Sequence, residues 1–334
     1  MRVGLNDAVD TLKAAAESSR LRILVLLSRG DLTVSDLTGI LNQSQPRVSR
    51  HLRLLLEAGL IDRYQEGSWA FFRLADTESV QAFVKGLAER LDPSDSQLQR
   101  DAERLADVKR RRQQAARSYF SANAASWDHI RSLHVPDKAV ESALIEIVGD
   151  KRFQTMLDLG TGTGRILEIL SPLYTRGVGI DLSREMLAVA RANLDRAGVT
   201  NAQVRLGDLF AAQLDRNAFD LITMHQVLHY LDDPARAIAE AARLLRPSGR
   251  LVVVDFAPHE LEFLREKHAH QRLGFSDQQI GEWFAAAELD LGESRAFAPE
   301  RAGQGQLTVK LWVGRDRRLL IADPTRQEPT REVA

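Results

Sequence analysis

Thr155-Met156-Leu157-Asp158-Leu159-Gly160-Thr161-Gly162-Thr163-Gly164-Arg165 is the stretch that decides the fold. An apolar run ends in an acid, three alternating glycines follow, and helix-forming residues continue through Leu170. That order reads as a buried parallel strand, a tight turn and a helix start. Glycines suit a turn whose backbone bends sharply and brings its N–H groups against a ligand. A dinucleotide site would have G-x-G-x-x-G, with the pyrophosphate on the helix N-terminus. Gly160 and Gly162 fill its first two places, but the third falls on Arg165. Asp158 puts a carboxylate at the mouth of the strand, where it repels a pyrophosphate and favours an ammonium group. Beyond it, Val178-Gly179-Ile180-Asp181 ends a second apolar strand in an acid, at the spacing of a ribose-binding carboxylate. A third strand, Ala202 to Leu206, runs into Gly207-Asp208-Leu209, and a fourth spans Phe219 to Met224. A nucleoside with an amino-acid tail and no phosphate fits this set better than NAD.

These residues resemble a class I S-adenosylmethionine-dependent methyltransferase. Leu157 to Gly164 is similar to the family's first motif, Gly179 to Ser183 to its ribose-binding acid, and Gly207 to Phe210 to its adenine loop. Leu244 to Phe256 resembles its late helix-turn-strand element. The resemblance implies an α/β fold over residues 119–316, with a seven-stranded, mostly parallel sheet and helices on both faces. It implies S-adenosylmethionine, or its demethylated product S-adenosylhomocysteine, as the ligand. Gly160 and Gly162 would hold the amino-acid end, Asp181 the ribose hydroxyls and Asp208 the adenine amino group, with Asp158, Gly164, Leu182, Met186 and Leu209 as further cofactor-binding residues. His225, at a strand end, would line the cofactor or acceptor pocket. His225 and His229 stand at i, i+4, a zinc-ligand spacing, but Gln226 occupies the place where a zinc protease has its glutamate base. No metal is expected, and the two histidines are the candidates for a base acting on a small-molecule methyl acceptor. The (Asn/Asp)-Pro-Pro-(Tyr/Phe) sequence of DNA N-methyltransferases is absent there, so DNA methylation is not expected.

A chain of 334 residues suggests two domains, and 44% hydrophobic residues suffice for sizeable cores. Without cysteine it can form no disulfide, thiolate metal site or cysteine nucleophile. No signal-peptide pattern opens it and no apolar run approaches a membrane span, so a cytoplasmic protein with no membrane partner is expected. The net charge of -1 names no partner, and the local pattern has to.

That pattern lies in the first ninety or so residues. Leu5 to Glu17 and Ser19 to Arg29 read as helices, the second closed by Gly30. Thr33 opens a third, with Asp36 at capping-box spacing. Ser44 can cap a fourth, with Pro46 in its first turn. Leu60 to Gln65 and Trp69 to Leu74 form a hairpin around Glu66-Gly67-Ser68. Helix, turn, helix and a two-stranded wing is a DNA-binding arrangement. Between Asn42 and Arg53 there are three arginines, one histidine and no acid. Arg47, Arg50 and Arg53 suit phosphates and guanine, Gln43 and Gln45 can read adenine, and Ser44 and Ser49 complete the polar face.

Ser18 to Ile61 resembles the ArsR/SmtB winged helix-turn-helix repressors, over residues 1–92. The third helix of arsenic-sensing members carries Cys-Val-Cys-Asp-Leu. Here that stretch is Thr33-Val34-Ser35-Asp36-Leu37, without either thiolate, and Thr77 to Leu91 lacks the histidines by which other members bind metal. The resemblance implies a double-stranded DNA operator and a homodimer formed through the first and last helices of this domain, with Val80, Phe83, Val84, Leu87 and Leu91 as the apolar stripe. Residues 93–118 read as a polar helical linker, whose basic run Lys109 to Arg112 is solvated. Tyr119 to Trp127 resembles a methyltransferase lid. His268-Ala269-His270 is expected on the surface, and 317–334 is a disordered tail. Two readings follow. The chain is a transcriptional regulator whose second domain binds S-adenosylmethionine or S-adenosylhomocysteine as a signal, or it is a small-molecule methyltransferase with an autoregulatory DNA-binding domain.

Overall fold

A computed structural model describes residues 4–66, 69–75, 77–124, 137–211, 214–298 and 307–318. The chain divides into two compact units. The first takes in Met1–Ser126, Leu228–Pro234 and Phe256–Phe275, and the second Trp127–Val227, Ala235–Asp255 and Ser276–Ala334. Two stretches that fall inside the methyltransferase region of the sequence therefore belong to the first unit.

In the first unit, α1 (Leu5–Ala15), α2 (Ser18–Leu27), β1 (Leu32–Thr33), α3 (Val34–Leu41) and α4 (Gln45–Glu57) precede the wing strands β2 (Ile61–Glu66) and β3 (Trp69–Leu74). The anticipated capping box starts α3. The Thr33 hydroxyl accepts from Asp36 N at 3.2 Å, and the Asp36 carboxylate accepts from Thr33 N at 2.9 Å. Asn42, at φ 55°, ends α3 in the left-handed region that asparagine tolerates, and so aims α4. Ile23, Leu24, Leu37, Ile40, Val48 and Leu55 meet in the core at 0% exposure. Each such side chain contributes about 1.5–3 kcal/mol. The three strands pair antiparallel in the order β1-β3-β2.

After α5 (Glu78–Ala88), α6 runs from Ser96 to Asn123, past the C-terminal end of the expected linker. Its first half is part of the winged-helix core. Arg22 donates to both Asp101 carboxylate oxygens, at 2.6 and 2.7 Å, and Leu105 is buried in the cluster. Arg104 donates to Ile40 O at 2.9 Å, and Lys109 to Arg29 O at 3.0 Å. Lys109, read from sequence as solvated, thus satisfies a carbonyl at the C-terminal end of α2.

His270 corrects another expectation. The short helix α11 (Phe263–His268) stops at Ala269, which sits at φ 57°. The chain turns there and carries His270 inward, to 7% exposure, among His229, Tyr230 and Phe256. A surface position for the His268–His270 pair assumed helical spacing that the left-handed residue breaks. Burial and the neighbouring histidines hold the His270 imidazole well below its usual range, so it is neutral.

The second unit contains α7 (Asp137–Val148), β4 (Phe153–Leu159), α8 (Arg165–Leu170), β5 (Tyr174–Asp181), α9 (Arg184–Arg196) and β6 (Ala202–Leu206). It continues with β7 (Phe219–His225), α10 (Pro234–Leu244), β8 (Leu245–Phe256), α12 (Asp277–Ala286), β9 (Leu289–Phe297) and β10 (Val309–Asp316). The sheet order is β6-β5-β4-β7-β8-β10-β9. Strands β4 to β8 pair parallel, and β9 and β10 pair antiparallel with each other. This is the α/β class expected. The element read as helix-turn-strand is almost all strand, since β8 begins at Leu245 and absorbs the Pro-Ser-Gly turn as a register shift opposite Phe219–Leu221. Strand order reverses at β4, and in such sheets ligands bind beyond the carboxyl ends of the strands at that point. The first residues of the expected lid, Tyr119 to Asn123, continue α6, while its end (125–127), the wing turn and the tail beyond Arg318 lie outside the described residues. Among the described residues, no helix is long and apolar enough to cross a membrane.

Candidate functional site

Two sites take shape, one in each unit. In the second, β4 delivers the glycine loop to the reversal point. Gly160, Gly162 and Gly164 sit at φ 72°, 51° and 81°, where side chains are disfavoured. Gly160 has a second reason to be glycine, because a Cβ there would lie 2.4 Å from the Val227 side chain. The N–H groups of Gly160 and Thr161 donate to Ile180 O, at 2.9 and 3.0 Å, which ties the loop to the end of β5.

Asp181 then does more than its spacing implied. One carboxylate oxygen accepts from Gly162 N at 2.9 Å, and the other accepts from Ser183 N at 2.8 Å. The acid therefore sets the shape of the glycine loop and the entry to α9, where the Ser183 hydroxyl caps Met186 N. A carboxylate offers about four lone-pair sites, so ribose hydroxyls can still be accepted. Burial raises its pKa against these bonds. Asp158 is 1% exposed and accepts from Thr223 Oγ1 at 2.6 Å, and burial pushes its carboxyl up to about 6. Thr223 stands opposite Asp158 in the β4–β7 pairing, and His225 ends that strand two residues on, half-buried. Asp208 accepts from Phe210 N at 2.9 Å, which folds the loop after β6. The Arg236 guanidinium covers the Phe210 ring at 5.0 Å. Met186 and Leu209 are buried and Leu182 half-buried. A buried carboxylate, left-handed glycines and two further acids at strand ends fit a ligand with an ammonium group, a ribose and a base. His229 lies in the first unit, at 1% exposure in the aromatic cluster around His270. Thr223 and Val227 carried no motif signal, since their roles arise only from strand pairing and loop packing.

In the first unit, α4 presents Gln45, Arg47, Ser49, Arg50 and Arg53 to solvent, while Val48, Leu52 and Leu55 are buried. Ser44 occupies the cap position and is exposed, but its hydroxyl makes no cap bond. Gln43 behaves differently, because its amide donates to Ser19 Oγ at 2.8 Å and so holds α2. His51 also turns inward, to 9% exposure, 3.5 Å from the Glu17 carboxylate. Among the described residues, no group of acids and histidines is arranged to hold a metal ion.

A winged helix with a basic, exposed α4, joined to a class I sheet with its glycine loop, is the pattern of a bacterial regulator-type winged helix fused to a methyltransferase domain. Residues 17–63 match the bacterial regulatory protein family arsR, and residues 157–253 match a methyltransferase domain family. The chain is 38% identical over 106 residues to the arsenical resistance operon repressor of Escherichia coli, covering 26% of this chain and 91% of the repressor. The chain belongs to the arsR family of bacterial regulators. It is also 29% identical over 209 residues to an uncharacterized 37.1 kDa protein from a Streptomyces fradiae transposon, a match covering 58% of each chain. The match thus spans little more than half the length of that relative. A chain of the solved complex between a methyltransferase activator and a methyltransferase of Haloferax volcanii shares the fold, at 24% identity and a TM-score of 0.50, covering 59% of this chain and 96% of that one.

Proposed function

We propose that this protein is a homodimeric, cytoplasmic transcriptional regulator whose operator affinity responds to S-adenosylmethionine or S-adenosylhomocysteine held at the glycine loop. The observation that carries the reading is the state of α3. Where arsenic-sensing relatives have thiolates, this chain has Thr33 and Ser35, and the Thr33 hydroxyl is engaged in the helix cap. The signal that relatives take up at α3 has no receptor there, and the attached domain offers one. Asp158 holds the cofactor's ammonium group, the Gly160–Gly164 backbone its amino-acid end, Asp181 the ribose, and Asp208 the adenine amino group. His225 faces whatever lies beyond the methyl group. Methyl transfer needs little beyond alignment of acceptor and sulfonium, so the same site serves a methyltransferase. Leu5, Val9 and Leu12 repeat at i, i+4 and i+7 on α1 with 81, 37 and 54% exposure, a stripe that suits a partner copy.

The test is titration of a duplex selected from random DNA, with the protein free, saturated with S-adenosylmethionine, or saturated with S-adenosylhomocysteine. The forms are expected to differ by about 5–150-fold in DNA affinity, and linkage requires DNA to change cofactor affinity by the same factor. The demethylated product is expected to be the stronger effector. Equal affinities in all three states, together with methyl transfer to a small acceptor, would favour the enzyme reading.

Two further outcomes bear on the sites themselves. Arg47 and Arg50 lie three apart on the exposed side of α4, so one major groove admits both. Arg50→Ala is expected to reduce base discrimination by about 1–3 kcal/mol. An unchanged footprint in the Arg47/Arg50 double alanine variant would exclude α4 as the reader. Asp158 gives a pH signature. Its carboxyl, raised to about 6 by burial, is charged above that pH and neutral below it, and only the charged form attracts the cofactor's ammonium group. Affinity for either cofactor form is expected to fall about tenfold between pH 7 and pH 5. Calorimetry checks this, and Asp158→Asn should flatten the profile.

A further inference from the structure

Strand alternation gives the wing two faces. On β3, Ala70, Phe72 and Leu74 pack into the winged-helix core, so Trp69, Phe71 and Arg73 point the other way. An aromatic on the outer face of so small a sheet should be wet, yet Phe71 is only 2% exposed. Two guanidiniums cover it. Arg272 lies 4.7 Å from the centre of the Phe71 ring and Arg265 5.8 Å from it, while Arg265 also sits 4.6 Å over Trp69. Both arginines come from the Phe256–Phe275 stretch of the first unit.

The fit is built on both sides. Tyr64 stacks on Phe71 at 5.5 Å, and its hydroxyl donates to Asp31 at 2.6 Å while accepting from Arg272. Arg272 also meets the Asp31 carboxylate at 3.4 Å and donates to Asp232 O at 3.2 Å, and Arg265 donates to Gln271 O at 3.1 Å. A guanidinium leaves water only when aromatic faces and acceptors replace its hydration. Arg272 and Arg265 do so, at 6 and 9% exposure.

The backbone held by this patch continues, along the chain, from a residue packed against the glycine loop. Val227 packs against Gly160, closely enough to exclude a Cβ. Two peptide bonds further on, His229 O accepts from Gln271 N at 2.8 Å and from Arg272 N at 3.0 Å. The backbone that positions Arg272 is thus the direct continuation of the residue that touches the loop.

We propose that Arg272, supported by Arg265, is the joint through which occupancy of the glycine loop is transmitted to the DNA-binding wing. The inference deepens the effector reading above and rests on it. A ligand's amino-acid end at Gly160 to Gly162 bears on Val227, and a shift of the turn after Val227 moves the His229 carbonyl and, with it, Arg272. The wing follows, because a sheet this small, with only the two-residue β1 beside β3 and β2, has little stability of its own and takes its position from what it packs on. The wing therefore has docked and undocked states, and the cofactor biases their ratio.

The test measures the ratio of operator affinities with and without saturating S-adenosylhomocysteine. Arg265→Met/Arg272→Met keeps the apolar stems and removes both forks. Wild type is expected to show a ratio of about 5 or more. The double variant should fall to within about twofold of one, with its affinity for S-adenosylhomocysteine unchanged. Arg272→Lys should behave likewise, since an ammonium cannot bridge Tyr64, Asp31 and the Phe71 face together. Trp69 fluorescence, isolated by difference from Trp69→Phe, should shift on ligand binding in wild type and stay fixed in the double variant. A double variant that keeps the wild-type ratio overturns the joint and leaves the effector reading intact. A ratio of one in wild type overturns the effector reading itself, and the joint with it. If the double variant does not fold, Tyr64→Phe removes only the bridging hydroxyl. A ratio reduced at least twofold then supports the joint, and an unchanged one overturns it.

Discussion

Replacing Asp101 with alanine is expected to destabilise the winged-helix unit by about 3–5 kcal/mol, the cost of removing one partner from a buried ion pair. The Arg22 and Asp101 side chains are 12 and 4% exposed, and two bonds of 2.6 and 2.7 Å join them. Without the carboxylate, a guanidinium remains in the interface between α2 and α6, left among the described residues with a long bond to Leu41 O, at 3.4 Å, and no counter-charge. The Arg53–Glu57 pair on α4, at 70 and 63% exposure, should by contrast contribute about 0–1 kcal/mol. Urea unfolding followed by circular dichroism, with operator binding as a marker of the same unit, gives the measurement. Arg22→Met/Asp101→Leu should recover most of the loss, because it buries no charge. A loss below about 1 kcal/mol for Asp101→Ala would mean that water reaches the pair and that α6 is no part of the core.

This pair also marks where sequence reading runs out. The glycine loop and the Thr33–Asp36 cap were legible because each is local. The φ values of Gly160 to Gly164 and the three-residue reach of Asp36 are written within a few neighbouring positions. α6 was legible as a helix, but its narrow apolar stripe and many charges read as a solvated spacer. What seats it is an arginine 79 positions away, which no periodicity reveals. The wing shows the same limit. The hairpin was readable from its strand and turn residues, but nothing local indicates that Arg265 and Arg272 cover Phe71. His270 was misplaced for a third reason, since one left-handed alanine redirects the chain. At the glycine loop, the order of strand, turn and helix was readable, while the bonds Asp181 makes to the loop were not. A carboxylate at ribose spacing does not announce that it also accepts the Gly162 amide.

That second task makes Asp181→Ala the variant with the largest expected effect on ligand binding. A lost charge-assisted hydrogen bond to a ribose hydroxyl costs about 1.5–3 kcal/mol, a weakening of roughly 10- to 150-fold. In this chain the same substitution also frees Gly162 N and Ser183 N, the donors that join the glycine loop to the start of α9. The loop at Gly162 would then have to be ordered by the ligand itself, so the loss should lie at the upper end of that range. It should be shared by S-adenosylmethionine and S-adenosylhomocysteine, whose ribose is the same. Asp181→Asn separates the two contributions. Its single carbonyl oxygen can keep one backbone donor but not both, and its amide places N–H where the other donor points. It should bind more tightly than the alanine variant and more weakly than wild type. Calorimetry with each cofactor form is the measurement, with NAD as the control ligand. Wild-type affinity for NAD with none for either cofactor form would overturn the assignment of the site. An Asp181→Ala variant that still binds within about twofold of wild type would show that the ribose is held elsewhere, and that the acid serves the loop alone.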